Sequence, residues 1–195
     1  AWTEAAMFRG FEIILRGKDP QAGLIMTPRI CGICGGSHLY KACYAVDTAW
    51  GTYVPPNATR IRNIAQACET LQSMPRYFYA IMGPDLTAAQ YANAPSYEEA
   101  ARRFAPYVGT AYQTGVTLSQ LPVEVYAIFG GQWPHSSFMI PGGVMCAPTL
   151  SDITRSHAIL DNWARTWLEG QWLGCSIDRY LQIQTWEDFL AWMDE

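Results

Sequence analysis

The sequence predicts a mainly helical fold with a minor strand component, an α+β body running over residues 1–195 with no internal linker. Three observations carry this. Apolar residues recur at spacings of three and four, Ser and Thr stand where such stretches open, and Gly and Pro stand where they close. Phe8, Phe11, Ile14 and Leu15 share helical spacing, and Gly17 with Pro20 stops that helix. A second helix is expected from Gln21 to Ile25 or slightly beyond, punctuated by Pro28. After Pro55-Pro56 a long helix is expected, with Ile61, Ile64, Cys68 and Leu71 as its apolar stripe and Asn57 or Thr59 as its cap. Pro75 should kink or restart it. Ser96 with Glu99 reads as a capping box for a helix ending near Phe104, before Pro106. Between Val108 and Phe129 β-branched and aromatic content rises, and 122–126 reads as a short strand. Residues 130–143 form a Gly- and Pro-rich loop. Thr149 should cap a helix bearing Ile153, Ile159, Leu160, Trp163 and Trp167, and Thr185 a last one from Trp186 to the end.

Composition narrows the classes of function. With 195 residues the chain can bury one sizeable core. Half of it is apolar and only 15% is charged, and it carries 8 Trp, 11 Tyr and 7 Phe. Such a chain suits either an aromatic-rich core or a face covered by a partner subunit. Seventeen acidic against thirteen basic residues give a net charge of −4, with no Lys/Arg cluster, which excludes a phosphate-backbone binder. No apolar run approaches the roughly 20 residues that span a bilayer. The first residues have neither the basic nor the apolar part of a signal peptide. A cytoplasmic chain is expected, with any membrane association made through partner subunits. The opening residues read as the middle of a unit, so truncation at both ends is expected.

Chemistry concentrates in Arg29-Ile30-Cys31-Gly32-Ile33-Cys34-Gly35-Gly36-Ser37-His38. Two cysteines separated by two residues can aim both sulfurs at one centre, and glycines let the backbone turn tightly around it. The remaining thiols, Cys43, Cys68, Cys146 and Cys175, are scattered, which favours a reduced compartment and buried small side chains over a disulfide framework. Three readings of the pair stand side by side. A structural zinc site needs four ligands, and there is no second C-x-x-C or paired His downstream. A dithiol redox centre opens a helix after a strand, whereas the residues before Cys31 read as helical. A metal site completed by another segment is the third. Arg29 would either lower the energy of nearby thiolate charge or serve in packing.

The phrases Phe8-Arg9-Gly10-Phe11-Glu12 and Leu15-Arg16-Gly17-Lys18-Asp19-Pro20, followed by the Arg-Ile-Cys-Gly-Ile-Cys-Gly run and His38, resemble the signature of nickel–iron hydrogenase large subunits. A second block, Gly130-Gly131-Gln132-Trp133-Pro134-His135 with Pro141-Gly142-Gly143-Val144, is similar to another part of that family. The resemblance spans essentially the whole chain and looks nearest to the uptake and high-affinity branch. It implies an amino-terminal portion of a helical large subunit that cleaves H2 reversibly and heterolytically. Electrons would leave through iron–sulfur clusters in a separate small subunit, and maturation proteins would assemble the centre. It implies nickel held by four thiolates and an iron carrying carbon monoxide and cyanide. Cys31 would be a terminal nickel ligand and Cys34 a bridge between nickel and iron; the other two thiolates belong to a second C-x-x-C that is not in this chain. It implies Glu12 as a magnesium ligand, His38 as a hydrogen-bond donor to a bridging thiolate, and His135 on the face towards the small subunit. His157 is read as structural.

The chain departs from the family where Gln72-Ser73-Met74 stands in place of an aspartate flanked by histidines, and the family's proton-gate glutamate would lie before Ala1. Two other classes remain: a non-catalytic zinc or dithiol module, and a relative of the respiratory complex I subunit, against which the intact Cys31 and Cys34 argue.

Overall fold

Gly10, in the left-handed region at φ 74°, opens helix α1 at Phe11–Leu15, later than the Phe8 start expected from spacing. The computed structural model describes Trp2, Glu4 and residues 6–194. Gly17, at φ 73°, turns the chain into α2, Ala22–Met26, which tightens into a 3₁₀ turn, Thr27–Arg29, around Pro28. The sequence reading overlooked α3, Gly35–Trp50, because its two leading glycines look like loop. Burial of Leu39, Cys43 and Val46 outweighs that weak start. Gly51, at φ 62°, ends it in a left-handed cap.

Helix α4, Pro56–Arg76, has Pro55 as N-cap and Pro56 in its first turn, and no side chain caps it. Neither expected cap operates: Asn57 accepts from Arg60 at 2.8 Å, and Thr59 bonds back to the Pro55 carbonyl. Proline at the first position needs no donor and presets φ, so the entry is fixed without them. Pro75 stays inside the helix; beyond Arg76 the ladder widens to a π-helical segment, Tyr77–Met82, and returns as α5, Gly83–Asp85.

Helix α6, Tyr97–Phe104, starts where expected but without the capping box. Ser96 has ψ 5°, unlike an extended cap, and Glu99 instead chelates Arg102 at 2.9 and 2.6 Å. Next come α7, Thr110–Leu118, and α8, Gln120–Gly130, so the expected strand at 122–126 is helix. Pro122 fits the first turn, and Val123, Tyr126 and Phe129 share one face packed chiefly on α4; packing overrode β propensity. Within the expected loop, strands β1, Met139–Ile140, and β2, Gly143–Val144, make a small antiparallel hairpin with Met139 opposite Val144.

Thr149 caps α9, Leu150–Trp163, in a complete box with Asp152, and the helix continues as a π-helical segment through Leu173. A short α10, Ile177–Tyr180, precedes α11, Trp186–Met193, whose Thr185–Asp188 box also forms; Glu195 lies outside the described residues. None of the described helices is long and apolar enough to cross a membrane.

The core gathers Leu39, Cys43, Ala65, Cys68, Val125, Tyr126, Phe129, Phe138 and Met139 from α3, α4, α8 and β1. Helix α4 meets it with an unexpected face. Ile64 is exposed, whereas the buried positions are Ala58, Arg62, Ala65, Cys68, Glu69, Gln72 and Pro75. Small residues let α8 approach closely, and Arg62 and Glu69 enter because each finds partners, whereas the Gln72 Oε1 has none among the described residues. Arg62 bonds Asp47 at 2.6 Å and the carbonyls of Ile140 at 2.7 Å and Gly143 at 3.0 Å, while Asp47 accepts the Gly142 N–H at 2.7 Å. That clamp pins the hairpin to α3 and α4, which gives the Pro141–Val144 block a structural job. Cys43 and Cys68 are buried as expected, but Cys146 and Cys175 are only half-buried, and all six thiols are unpaired.

Candidate metal centre

The two neighbouring cysteines lie on a tight loop between the Thr27–Arg29 turn and α3. Thr27 ties the turn down by donating its hydroxyl to the carbonyls of Gly23 at 2.8 Å and His38 at 3.3 Å. Arg9 reaches across from the chain before α1 to donate to the Ile30 carbonyl. The backbone then wraps one sulfur: Cys31 Sγ accepts the N–H groups of Cys34 at 3.1 Å and Ile33 at 3.4 Å. The Cys34 thiol also donates to Cys31, so both sulfurs converge, each half-buried.

Cys34 is itself the N-cap residue of α3, yet its side chain caps nothing. The cap comes from another helix. Glu69 of α4, 1% exposed, accepts the N–H of Gly36 at 2.9 Å and both the N–H and hydroxyl of Ser37 at 2.5 and 2.9 Å. These are the second and third helical N–H groups, which a cap side chain ordinarily serves. The side chain of Cys34 is thereby left out of the cap, with its thiol turned to Cys31.

Two glycines make the approach possible. A Cβ on Gly35 would lie 2.7 Å from the Pro28 carbonyl, and one on Gly36 would lie 2.6 Å from the Tyr126 ring and 2.9 Å from Glu69. The Gly130–His135 block closes over the same loop. His135, at φ 64°, has Nδ1 2.7 Å from the Pro28 carbonyl, which fixes that nitrogen as the donor. The Trp133 indole N–H points at Glu69 at 3.4 Å and its ring carries the Arg76 guanidinium at 5.5 Å. Burial holds Arg76 below its ordinary value.

The environment splits the two thiols. For Cys31 burial opposes ionisation, but the Cys34 thiol and the N–H groups of Ile33 and Cys34 outweigh it, and the net shift is downward. For Cys34 burial, the bond it donates to Cys31 and the negative charges of Cys31 and Glu69 act together, and its thiol is pushed up to about 12. A cation between the sulfurs would take the place of the shared proton and offset the negative charge beside Cys34.

Of the other residues singled out from sequence, His38 sits half-buried on the first turn of α3, its N–H on the Cys34 carbonyl at 3.3 Å. Glu12 is exposed on α1. Arg29 is exposed and folds back to the Ile25 carbonyl at 2.7 Å, and it is not among the groups that bias Cys31 or Cys34. His157 is exposed on α9. Sequence reasoning missed Glu69, Ser37, Trp133 and the Asp47–Arg62 clamp. The available signal was the run Arg62, Glu69, Gln72 and Arg76, polar positions in phase on one face of α4 and interleaved with Ala58 and Ala65.

The donor set is two soft thiols within reach of each other, suited to nickel, zinc, copper(I) or iron. Among the described residues no group of three or more His, Cys, Asp or Glu side chains gathers to hold a metal. Two thiols alone leave a metal's coordination shell open, so any metal held here would need further ligands.

The family model for nickel-dependent hydrogenases matches residues 9–120. The periplasmic [NiFeSe] hydrogenase large subunit of Desulfomicrobium baculatum is 33% identical over 172 residues, covering 81% of this chain and 34% of the relative. An uptake hydrogenase large subunit of Azotobacter chroococcum mcd 1 is 28% identical over 202 aligned positions, covering 78% and 33%. In the crystal structure of a reduced, active form of the Desulfomicrobium baculatum Ni-Fe-Se hydrogenase, the matched part has TM-score 0.70 and 29% identity, over 84% of this chain and 37% of that one. The chain spans about a third of the length of these relatives.

Proposed function

Since this chain belongs to the nickel-dependent hydrogenase family, we propose that it is the amino-terminal portion of a large subunit that cleaves H2 reversibly to two protons and two electrons. The observation that carries the reading is the converging pair Cys31 and Cys34, with the cap of α3 taken by Glu69 so that the Cys34 sulfur is free. Cys31 would be a terminal nickel ligand and Cys34 would be shared between nickel and iron; two more thiolates would come from a C-x-x-C that these 195 residues do not contain. When bound, nickel and an iron carrying carbon monoxide and cyanide would supply the electrophilic chemistry for H2 cleavage.

The chain's own residues do the rest. The N–H groups of Ile33 and Cys34 stabilise negative charge on Cys31 Sγ, which keeps that sulfur available as a thiolate ligand. Gly35 and Gly36 keep the loop pressed on the core, and Trp133 and His135 close over one side of it. The His38 ring serves as donor to the bridging thiolate, a role of the kind that orients metal ligands. Glu12 supplies a carboxylate to magnesium, a hard cation that takes oxygen donors.

Electrons leave through a small subunit carrying iron–sulfur clusters, and maturation proteins insert the centre. The exposed aromatic and aliphatic side chains of the chain, Tyr53, Ile25 and Phe78 among them, are the kind of surface such assemblies bury. The unbridged thiols fit a reducing, cytoplasmic setting, while the Desulfomicrobium baculatum relative is periplasmic. The test uses the complete large subunit co-expressed with its small subunit and maturation proteins. Hydrogen-dependent dye reduction should be present in the parent and absent in Cys34→Ser; a Cys34→Ser complex that still oxidises hydrogen would refute the assignment.

A further inference from the structure

Glu69 does more than fill a core position. A buried carboxylate is costly unless its oxygens are satisfied, and this one takes four donors: the N–H and hydroxyl of Ser37, the N–H of Gly36 and the indole N–H of Trp133. Every one of them belongs to the helix that starts at Cys34 or to the block that closes over it. Gln66, one turn earlier on α4, donates to the Ser37 hydroxyl at 2.8 Å and steadies that donor to Glu69. Three separate pieces of chain, α3, α4 and the loop at Trp133, therefore meet on a single carboxyl group beside two sulfurs.

We propose that Glu69 is a positioning residue for the thiolate pair, capping α3 from the neighbouring helix so that Cys34 Sγ stays available to metal, and placing a fixed negative charge beside the centre. The inference rests on the hydrogenase reading for its metal and on the structure alone for the cap. A residue at the N-cap ordinarily commits its side chain to the helix; here that duty is transferred, and the helix dipole and the carboxyl group together define where Cys34 begins. Its carboxyl group bonds Gly36 and Ser37, two and three residues from Cys34, so its charge acts at short range on any cation the sulfurs hold. Trp133 links the charge to the second sequence block, so the two motifs are coupled through one side chain.

The test has two arms with Glu69→Gln, which keeps the volume and removes the charge and one acceptor, and Glu69→Ala as the stronger variant. In the first arm, amide exchange is measured on the chain. Gly36 and Ser37 should exchange faster in both variants while the amides of α9 keep the parent's rates; parental rates at Gly36 and Ser37 would overturn the cap. In the second arm the matured complex is analysed for nickel and for the infrared bands of metal-bound carbon monoxide and cyanide. Nickel retention should fall by about 10-fold or more in Glu69→Ala. Glu69→Gln should move the bands, and Asp47→Asn, which alters a buried carboxylate of the hairpin clamp, should leave them in place. Unmoved bands in Glu69→Gln, or an equal shift in Asp47→Asn, would overturn the charge effect. A parent complex without nickel or bands would sink the hydrogenase reading, and the exchange arm would still decide for or against the cap.

Discussion

The region around α3, α4 and the hairpin and the region from α9 to α11 are held together by opposite means. In the first, charged and polar groups lie inside: Asp47, Arg62, Glu69 and Gln72 are each 6% exposed or less, and three of the four have their bonds in directions fixed by helix starts and hairpin carbonyls. In the second, rings do the work. Trp163, Trp167 and Trp172 follow one another with centroids 5.1 Å apart, and Phe189 meets Trp192 at 5.7 Å. Aromatic contact is strong and tolerant of small shifts, whereas a buried charge has one good arrangement. A pair of sulfurs that must share a metal needs the second kind of support. Both halves leave large apolar side chains exposed, Leu181, Trp186 and Met193 at the aromatic end and Tyr44, Trp50 and Met74 on α3 and α4.

The contrast is sharpest in what each half loses on mutation. Asp47→Ala strands the Arg62 guanidinium in the core and should cost about 3–5 kcal/mol, with loss of the hairpin signals in an NMR spectrum. Trp167→Phe, in the ring stack, should cost less than about 1.5 kcal/mol by denaturant titration because the site keeps most of its volume. Equal costs would break the comparison.

Gly36→Ala is next. Its new methyl would meet Tyr126 and Glu69, and the expected destabilisation is about 1–3 kcal/mol, with lower nickel content in the matured complex. An alanine variant as stable as the parent would mean that the approach of α3 to α4 is looser than described.

The smallest effect concerns pH. Burial pushes the Cys68 thiol up to about 12 and the Cys43 thiol up to about 11. In the unfolded chain these thiols ionise from about pH 9, so the folded state holds more protons above that point. Their contribution is complete below pH 9 and is lost as pH rises through the folded values, about 1 kcal/mol per thiol by pH 10. Cys68→Ala should flatten, and not abolish, the alkaline loss of stability followed by circular dichroism between pH 8 and 10.5.

The aromatic half was the more legible in sequence. Thr149 and Thr185 announce α9 and α11 because a cap acts within four residues, and both boxes form with the partners the spacing offers. Ser96 and Glu99 have the same spacing, but Arg102 stands one turn from Glu99 and takes its carboxylate. Around α3 the local signals point the wrong way. Two glycines hide a helix start, Val123 and Val125 imitate a strand, and the isoleucines of α4 suggest a core face that is in fact turned outward at Ile64. Long-range bonds decide there: Glu69 meets Ser37 across 32 residues and Asp47 meets Gly142 across 95. The thiol pair itself was legible, since its spacing is its chemistry; the carboxyl group that frees Cys34 was not, since nothing near it in sequence names its partners.

The most direct test of the account is elemental analysis of the matured large-subunit complex for nickel, iron and zinc, read together with its infrared spectrum. The account predicts one nickel per large subunit and bands of metal-bound carbon monoxide and cyanide, both lost in Cys34→Ser. Stoichiometric zinc without those bands would contradict it and make Cys31 and Cys34 half of a structural zinc site.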